Sequence, residues 1–153
     1  MPVVDLPDEA ATAAFAARIS ALAEVGDVIA LKGDLGSGKT SFARSFIRAR
    51  GPVEEVPSPT FTLVQIYELG SVAIWHFDLY RIKSPEEAWE LGIEDAFSEG
   101  ISLIEWPEHL GSLLPRRCLE IEFLFGDRPD SRRALINAGE AWQQRMAGIS
   151  ADA

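Results

Sequence analysis

Gly33, Gly38, Lys39 and Thr40 stand at the spacing G-x-x-x-x-G-K-T across Gly33-Asp34-Leu35-Gly36-Ser37-Gly38-Lys39-Thr40. The chemistry this spacing serves is capture of a polyphosphate. Glycines let the backbone curl until several successive N–H groups point at phosphate oxygens. A helix that starts behind such a loop adds the partial positive charge of its N-terminus. Lys39 is placed to reach β- and γ-phosphates, and the Thr40 hydroxyl to ligate magnesium. A glycine-rich turn that binds nothing has no use for a lysine and a hydroxyl at these fixed positions.

Such a loop needs acids to complete it, for the metal and for the attacking group. Glu105 closes the apolar run Ile101-Ser102-Leu103-Ile104 and is either a metal ligand or a surface acid at a strand end. It is Glu rather than the commoner Asp, so its reach is longer. Asp78 closes Ile74-Trp75-His76-Phe77. It either orients water, holds the metal through water, or is a turn acid. Strand alternation sets Trp75 and Phe77 on one face and Ile74, His76 and Asp78 on the other. His76 reads as a structural histidine, and His109 receives no role. With two histidines and one cysteine there is no zinc-type cluster. No Gly-x-Ser-x-Gly elbow and no Asn/Thr-Lys-x-Asp guanine-reading motif is present, which favours ATP over GTP.

The elements around these residues follow from pattern. Val28-Ile29-Ala30-Leu31 is a short apolar run suited to a buried strand, and Ser41 to Arg50 carries Phe42, Ala43, Phe46 and Ile47 at helical spacing. Strand, loop and helix therefore occur in the order the motif requires. Before them, Pro7 to Glu24 is an alanine-rich helix with Phe15, Ile19 and Leu22 on one stripe. After them, Gly51-Pro52 stops the chain, and Val56-Pro57-Ser58-Pro59-Thr60 is an extended, stiff loop. Phe61 to Glu68 and Val72 to Asp78, joined by Leu69-Gly70-Ser71, form an antiparallel hairpin. Ser84, Pro85 and Glu87 start a helix with a capping box, and Gly92 stops it. Leu119 to Phe125 alternates as a half-exposed strand, Arg133 to Asn137 is a weaker strand, and Gly139 to Met146 a terminal helix. The expected fold is α/β: a P-loop NTPase-like three-layer sandwich, its sheet mostly parallel with an antiparallel hairpin added. Residues 1–153 read as one domain.

Composition bounds the partners. The chain has 153 residues, 24 acids against 14 bases and a formal net charge of −10. Tight direct binding of nucleic acid is disfavoured, because phosphate neutralisation needs clustered Lys and Arg. Arg44, Arg48 and Arg50, with Arg116, Arg117, Arg128, Arg132 and Arg133, either gather into a local patch or lie on solvated faces. No apolar run nears the roughly 20 residues that span a bilayer. The segment Met1 to Leu6 carries Asp5 and no basic cluster, unlike a signal peptide. The single Cys118 reads as a small core residue, and the expected setting is reducing and cytoplasmic.

GDLGSGKTSF is followed in order by PSPTFTL, HFDLYR, ELGIEDAF and LIEWPE. Together these motifs resemble the TsaE (YjeE) family, the small bacterial ATPase of tRNA threonylcarbamoyladenosine biosynthesis, from about Pro7 to Pro115. The resemblance implies that Gly33, Asp34, Leu35, Gly36, Ser37, Gly38, Lys39, Thr40 and Ser41 wrap the nucleotide phosphates. It implies magnesium on Thr40 and Glu105, and Asp78 as a catalytic acid near the γ-phosphate beside Lys39. Thr60 falls in a switch-like segment with Thr62 close by, Trp106 beside the site, and Arg132 near the nucleotide. Ser37 stands where alanine is common. The implied cofactors are ATP, with ADP as product, and Mg²⁺. The implied partners are TsaB- and TsaD-type proteins that meet tRNA themselves, so that this chain contacts tRNA only through them and no membrane is involved.

Two other classes compete. A small P-loop kinase would carry an arginine-bearing lid, whereas Ser84 to Glu99 is acidic. A nucleotide-dependent adaptor would bind ATP without turning it over.

Overall fold

The computed structural model describes residues 2–53, 55–59 and 62–147. Seven strands form one sheet in the order β1-β7-β6-β2-β5-β4-β3. They are β1 (Val3–Leu6), β2 (Val28–Lys32), β3 (Val64–Leu69), β4 (Val72–Asp78), β5 (Ile101–Glu105), β6 (Leu119–Phe125) and β7 (Arg132–Ala138). The helices are α1 (Glu9–Leu22), α2 (Lys39–Arg50), α3 (Pro85–Glu90), α4 (Ile93–Glu99) and α5 (Glu140–Arg145), with a 3-10 segment at Pro107–Leu113. The centre, β6-β2-β5-β4, is parallel. The β3–β4 hairpin is antiparallel, as expected, and so is the opposite edge, β1–β7–β6.

Strand β2 is buried on both faces, which is why its sequence is apolar without alternation. Ile29 and Leu31 face a core shared with Phe15 and Ile19 of α1 and Phe42 and Phe46 of α2. Val28 and Ala30 face a second core with Phe77, Ala88 and Ala96. Helices thus cover both faces of the sheet, giving three layers. Alternation in β4 comes out as the sequence implies, with Ile74 in the first core and Phe77 in the second, flanked by Trp75.

Local signals explain most ends. Asp8 caps α1, accepting from Ala11 N–H at 2.8 Å. Ser84 and Glu87 form the capping box of α3, with Pro85 in the first turn. Gly92 (φ 90°) does stop α3, but it is also the N-cap of α4, a second helix the sequence pattern did not separate. Among the described residues the hairpin's first strand begins at Val64, just after the left-handed Leu63 (φ 69°); Phe61, where the sequence pattern starts it, lies outside them. Arg50 donates to Ser20 and Ala23 carbonyls at the end of α1, and Arg44 to the Val56 carbonyl. These two arginines are spent on internal carbonyls rather than on a basic patch. Cys118 is buried, and burial pushes its thiol up to about 11. No helix among the described residues is long and apolar enough to cross a membrane.

Candidate nucleotide site

Three parallel strands end level with one another. In the register, Leu31 of β2 pairs with Glu105 of β5, and Glu105 pairs with Asp78 of β4. The Leu79 N–H donates to the Glu105 carbonyl at 3.1 Å and carries that alignment one residue further. The glycine loop leaves β2 at the same level. The loop and both acids therefore converge at the carboxyl end of the sheet, where open α/β sheets build their sites.

The loop is a tight curl. Gly33 (φ 138°) admits no side chain: an added Cβ would lie 2.7 Å from the Phe123 carbonyl oxygen and 2.5 Å from Ser37 Oγ. Gly38 (φ 115°) turns the backbone into α2, whose first bond runs from Phe42 N–H to the Gly38 carbonyl at 2.9 Å. The ring of Phe42 packs on Phe15 and Phe123, which seats α2 firmly under the loop. The mouth of α2 opens on a cleft of about 370 Å³.

Lys39 is almost fully buried at 4% exposure. Its ammonium donates to the Gly33 carbonyl and lies 3.5 Å from the centre of the Trp106 ring. Burial lowers its pKa, and Glu105, Glu108, Asp78 and Asp34 pull it partly back. Trp106 is itself left-handed (φ 61°) and packs on Tyr80 at 4.9 Å between ring centres. Thr40 Oγ donates to Glu105, at 3.0 Å from Oε1 and 3.2 Å from Oε2. On its other side Glu105 Oε2 accepts from His76 Nε2 at 2.7 Å. Asp78 Oδ1 accepts the Tyr80 N–H at 3.0 Å, a short Asx-type turn.

Leu35, Gly36, Gly38, Lys39, Thr40, Ser41, Asp78, Glu105, Trp106 and Arg132 all line this cleft. Gly33, Asp34 and Ser37 shape the loop behind it: Ser37 N–H donates to the Asp34 carbonyl at 3.1 Å. Arg132, on β7, reaches across to donate to the Gly36 carbonyl at 3.2 Å, and also binds the Pro129 and Ser131 carbonyls. Thr60 lies outside the described residues. Thr62 is exposed and accepts from Gln65 at 3.0 Å.

Glu9, Thr12, Pro129 and Asp130 also line the cleft. Sequence reasoning did not reach them. They come from the start of α1 and the β6–β7 turn, which tertiary folding alone brings to the loop. The sequence marks His76 only as structural, and nothing local in it announces the bond to Glu105.

The donors fit a magnesium polyphosphate. One hydroxyl and one carboxylate in contact supply hard oxygen ligands, and magnesium takes few protein ligands when phosphates complete its shell. No group of three or more His, Cys, Asp or Glu side chains suited to a metal occurs among the described residues. The cleft carries four acids (Glu9, Asp78, Glu105, Asp130) against Lys39 and Arg132. A bare polyphosphate would meet repulsion there that a divalent cation relieves. The buried Ser37 hydroxyl has no partner among the described residues.

A family model described as threonylcarbamoyl adenosine biosynthesis protein TsaE matches residues 6–134. A Rickettsia bellii protein named tRNA threonylcarbamoyladenosine biosynthesis protein TsaE is 44% identical over 117 residues, which is 76% of this chain and 81% of that one. A Bacillus subtilis protein of the same name is 39% identical over 116 residues, 75% of this chain and 71% of that one. The crystal structure of Bacillus subtilis YdiB superimposes with a TM-score of 0.79 at 29% identity, covering 97% of this chain and 93% of that one.

Proposed function

The chain belongs to the TsaE family of tRNA threonylcarbamoyladenosine biosynthesis, and from that premise we propose that it is the Mg²⁺-dependent ATPase of that machinery, weak alone and driven by a TsaB–TsaD-type heterodimer. The observation that carries the reading is the level alignment of the glycine loop, Glu105 and Asp78 at the ends of three parallel strands.

The chain's residues divide the work. Backbone N–H groups of Gly33 to Thr40 and the start of α2 take the phosphates. Lys39 would exchange the Gly33 carbonyl for β- and γ-phosphate oxygens, with the Trp106 ring against its ammonium. Thr40 and Glu105 would hold Mg²⁺, which would neutralise charge on the phosphates. Asp78 orients the attacking water. Arg132, already fixed on Gly36, lies beside the nucleotide. The net charge of −10 suits a protein that meets tRNA through its partners. Its setting is the cytoplasm.

Reconstituted tRNA modification tests this reading. The chain added to the heterodimer, tRNA, ATP and the threonylcarbamoyl donor should raise product beyond one turnover, with phosphate released. Lys39→Ala should lose that support and weaken ATP binding about 10–100-fold, the scale of one hydrogen bond to a charged group. Phosphorylation of a small acceptor would favour a kinase, and binding without release an adaptor.

A further inference from the structure

The geometry points to His76 as a positioning residue that pre-forms the metal end of the site by holding Glu105 against the sheet and away from Lys39; this rests on the nucleotide-site reading above. His76 is fully buried and sits on β4, two residues before Asp78. Its Nε2 donates to Glu105 Oε2 at 2.7 Å, while its Nδ1 has no partner among the described residues. A histidine retained in a core solely for packing has no reason to leave one ring nitrogen unmatched, an energetic cost. Here that cost is offset by a bond to the acid of the site.

Glu105 needs this hold. Its side chain is buried at 4% exposure and carries one more rotatable bond than aspartate. Among the carboxylates that act on Lys39, Glu105 acts most strongly. Even so, no ion pair within 4 Å joins the two among the described residues. Lys39 instead rests on the Gly33 carbonyl and the Trp106 ring. A freed Glu105 would have a cation beside it in a desolvated setting. Pairing them would turn the acid away from Thr40 and off the metal position. His76 on one side and Thr40 on the other prevent that collapse. Residues that fix a metal's carboxylate from behind typically change metal affinity about 10–100-fold when lost.

The test compares His76→Leu, which removes the donor at similar volume, with His76→Gln, whose amide restores one. ADP affinity is titrated calorimetrically in EDTA and in Mg²⁺ for the wild type, both variants and Glu105→Ala. Wild-type affinity should rise with Mg²⁺. In His76→Leu that rise should shrink about 10–100-fold, approaching Glu105→Ala, while affinity in EDTA holds within a factor of about two and His76→Gln recovers most of the rise. An Mn²⁺ titration followed by electron paramagnetic resonance should rank the four proteins in the same order. An undiminished Mg²⁺ effect in His76→Leu, with a normal wild type, overturns the positioning role alone. Failure of the wild type to bind ADP overturns the nucleotide reading and this inference with it. If His76→Leu does not fold, nitrogen-15 spectra of the wild-type imidazole decide. An Nε2–H tautomer kept with and without ADP and Mg²⁺ supports the role, and an Nδ1–H tautomer overturns it.

Discussion

Asp27 and Glu105 lie at opposite ends of the central strands. Asp27 precedes β2, where its carbonyl receives the Ser102 N–H at 3.0 Å, and Glu105 ends β5. Both are buried acids, at 8% and 3% exposure. Asp27 is saturated and neutralised: Arg145 grips both its oxygens, at 2.6 and 3.1 Å, and the Glu24 N–H adds a third bond at 2.6 Å. The guanidinium stacks on Trp142 at 4.1 Å, and the Asp27 bond raises its pKa. Glu105 receives a hydroxyl and an imidazole instead, faces a cleft, and makes no ion pair with the nearby Lys39 among the described residues. One end of the sheet uses charge to close the fold. The other buries Lys39 and Glu105 without an ion pair between them among the described residues.

The comparison would break most visibly at Asp78. If the cleft end is built for chemistry, its acids act on the ligand and not on the fold. Asp78→Ala should lower partner-stimulated phosphate release about 10²–10⁴-fold, the range for a positioned acid or base. ATP affinity should hold or rise slightly, since repulsion against the triphosphate falls. Phosphate-release assays paired with titration on the same variant check this. Normal release would remove Asp78 from the chemistry. Loss of binding as well, in a folded variant, would move it into the metal site.

The opposite end should behave in the reverse manner. Breaking a fully buried pair costs about 3–5 kcal/mol. Arg145 keeps 21% of its side chain exposed, so screening lowers the expectation for Arg145→Met to about 2 kcal/mol. That corresponds to roughly 4–8 °C in Tm for a chain of this size. ADP affinity should be unchanged where the variant is folded. A calorimetric scan and a titration separate the two effects. A loss of affinity at constant stability would mean the two ends are coupled.

The sequence made one end far more legible than the other. The loop from Gly33 to Thr40, Glu105 and Asp78 are marked by fixed spacing and by apolar runs that stop at an acid. Those are local signals, and the parallel register brings them level with one another. The Asp27–Arg145 clamp joins residues 118 positions apart, and nothing local announces it. His76 and Glu105 are 29 apart and meet only because β4 and β5 are neighbours. Strand β1 is hard to read from sequence for a related reason. Four residues with Asp5 among them carry little pattern, and their partners lie on β7, from Arg132 to Leu135. Glu9 and Thr12 reach the cleft only through the docking of α1 on α2.

The smallest effect concerns Lys39 in the absence of ligand, and it tests whether the cleft end does carry a cost. Burial lowers the Lys39 pKa from its usual 10.5. The unfolded chain therefore holds this proton to higher pH than the folded one. Between the folded value and 10.5 the unfolded state binds more protons, so wild-type stability gains from this group as pH rises. Below the folded value both states are protonated and the cost of the buried cation is constant. Lys39→Met keeps the apolar stem and cannot titrate. It should exceed the wild type in stability near neutrality, with a gap that holds there and narrows as pH climbs towards 10.5. Denaturant midpoints for both proteins from pH 7 to pH 10 measure that gap. A gap that widens with pH, or a variant weaker than wild type throughout, would show that the Gly33 carbonyl and Trp106 ring already compensate the charge. The cleft end would then be no less settled than the Asp27 end.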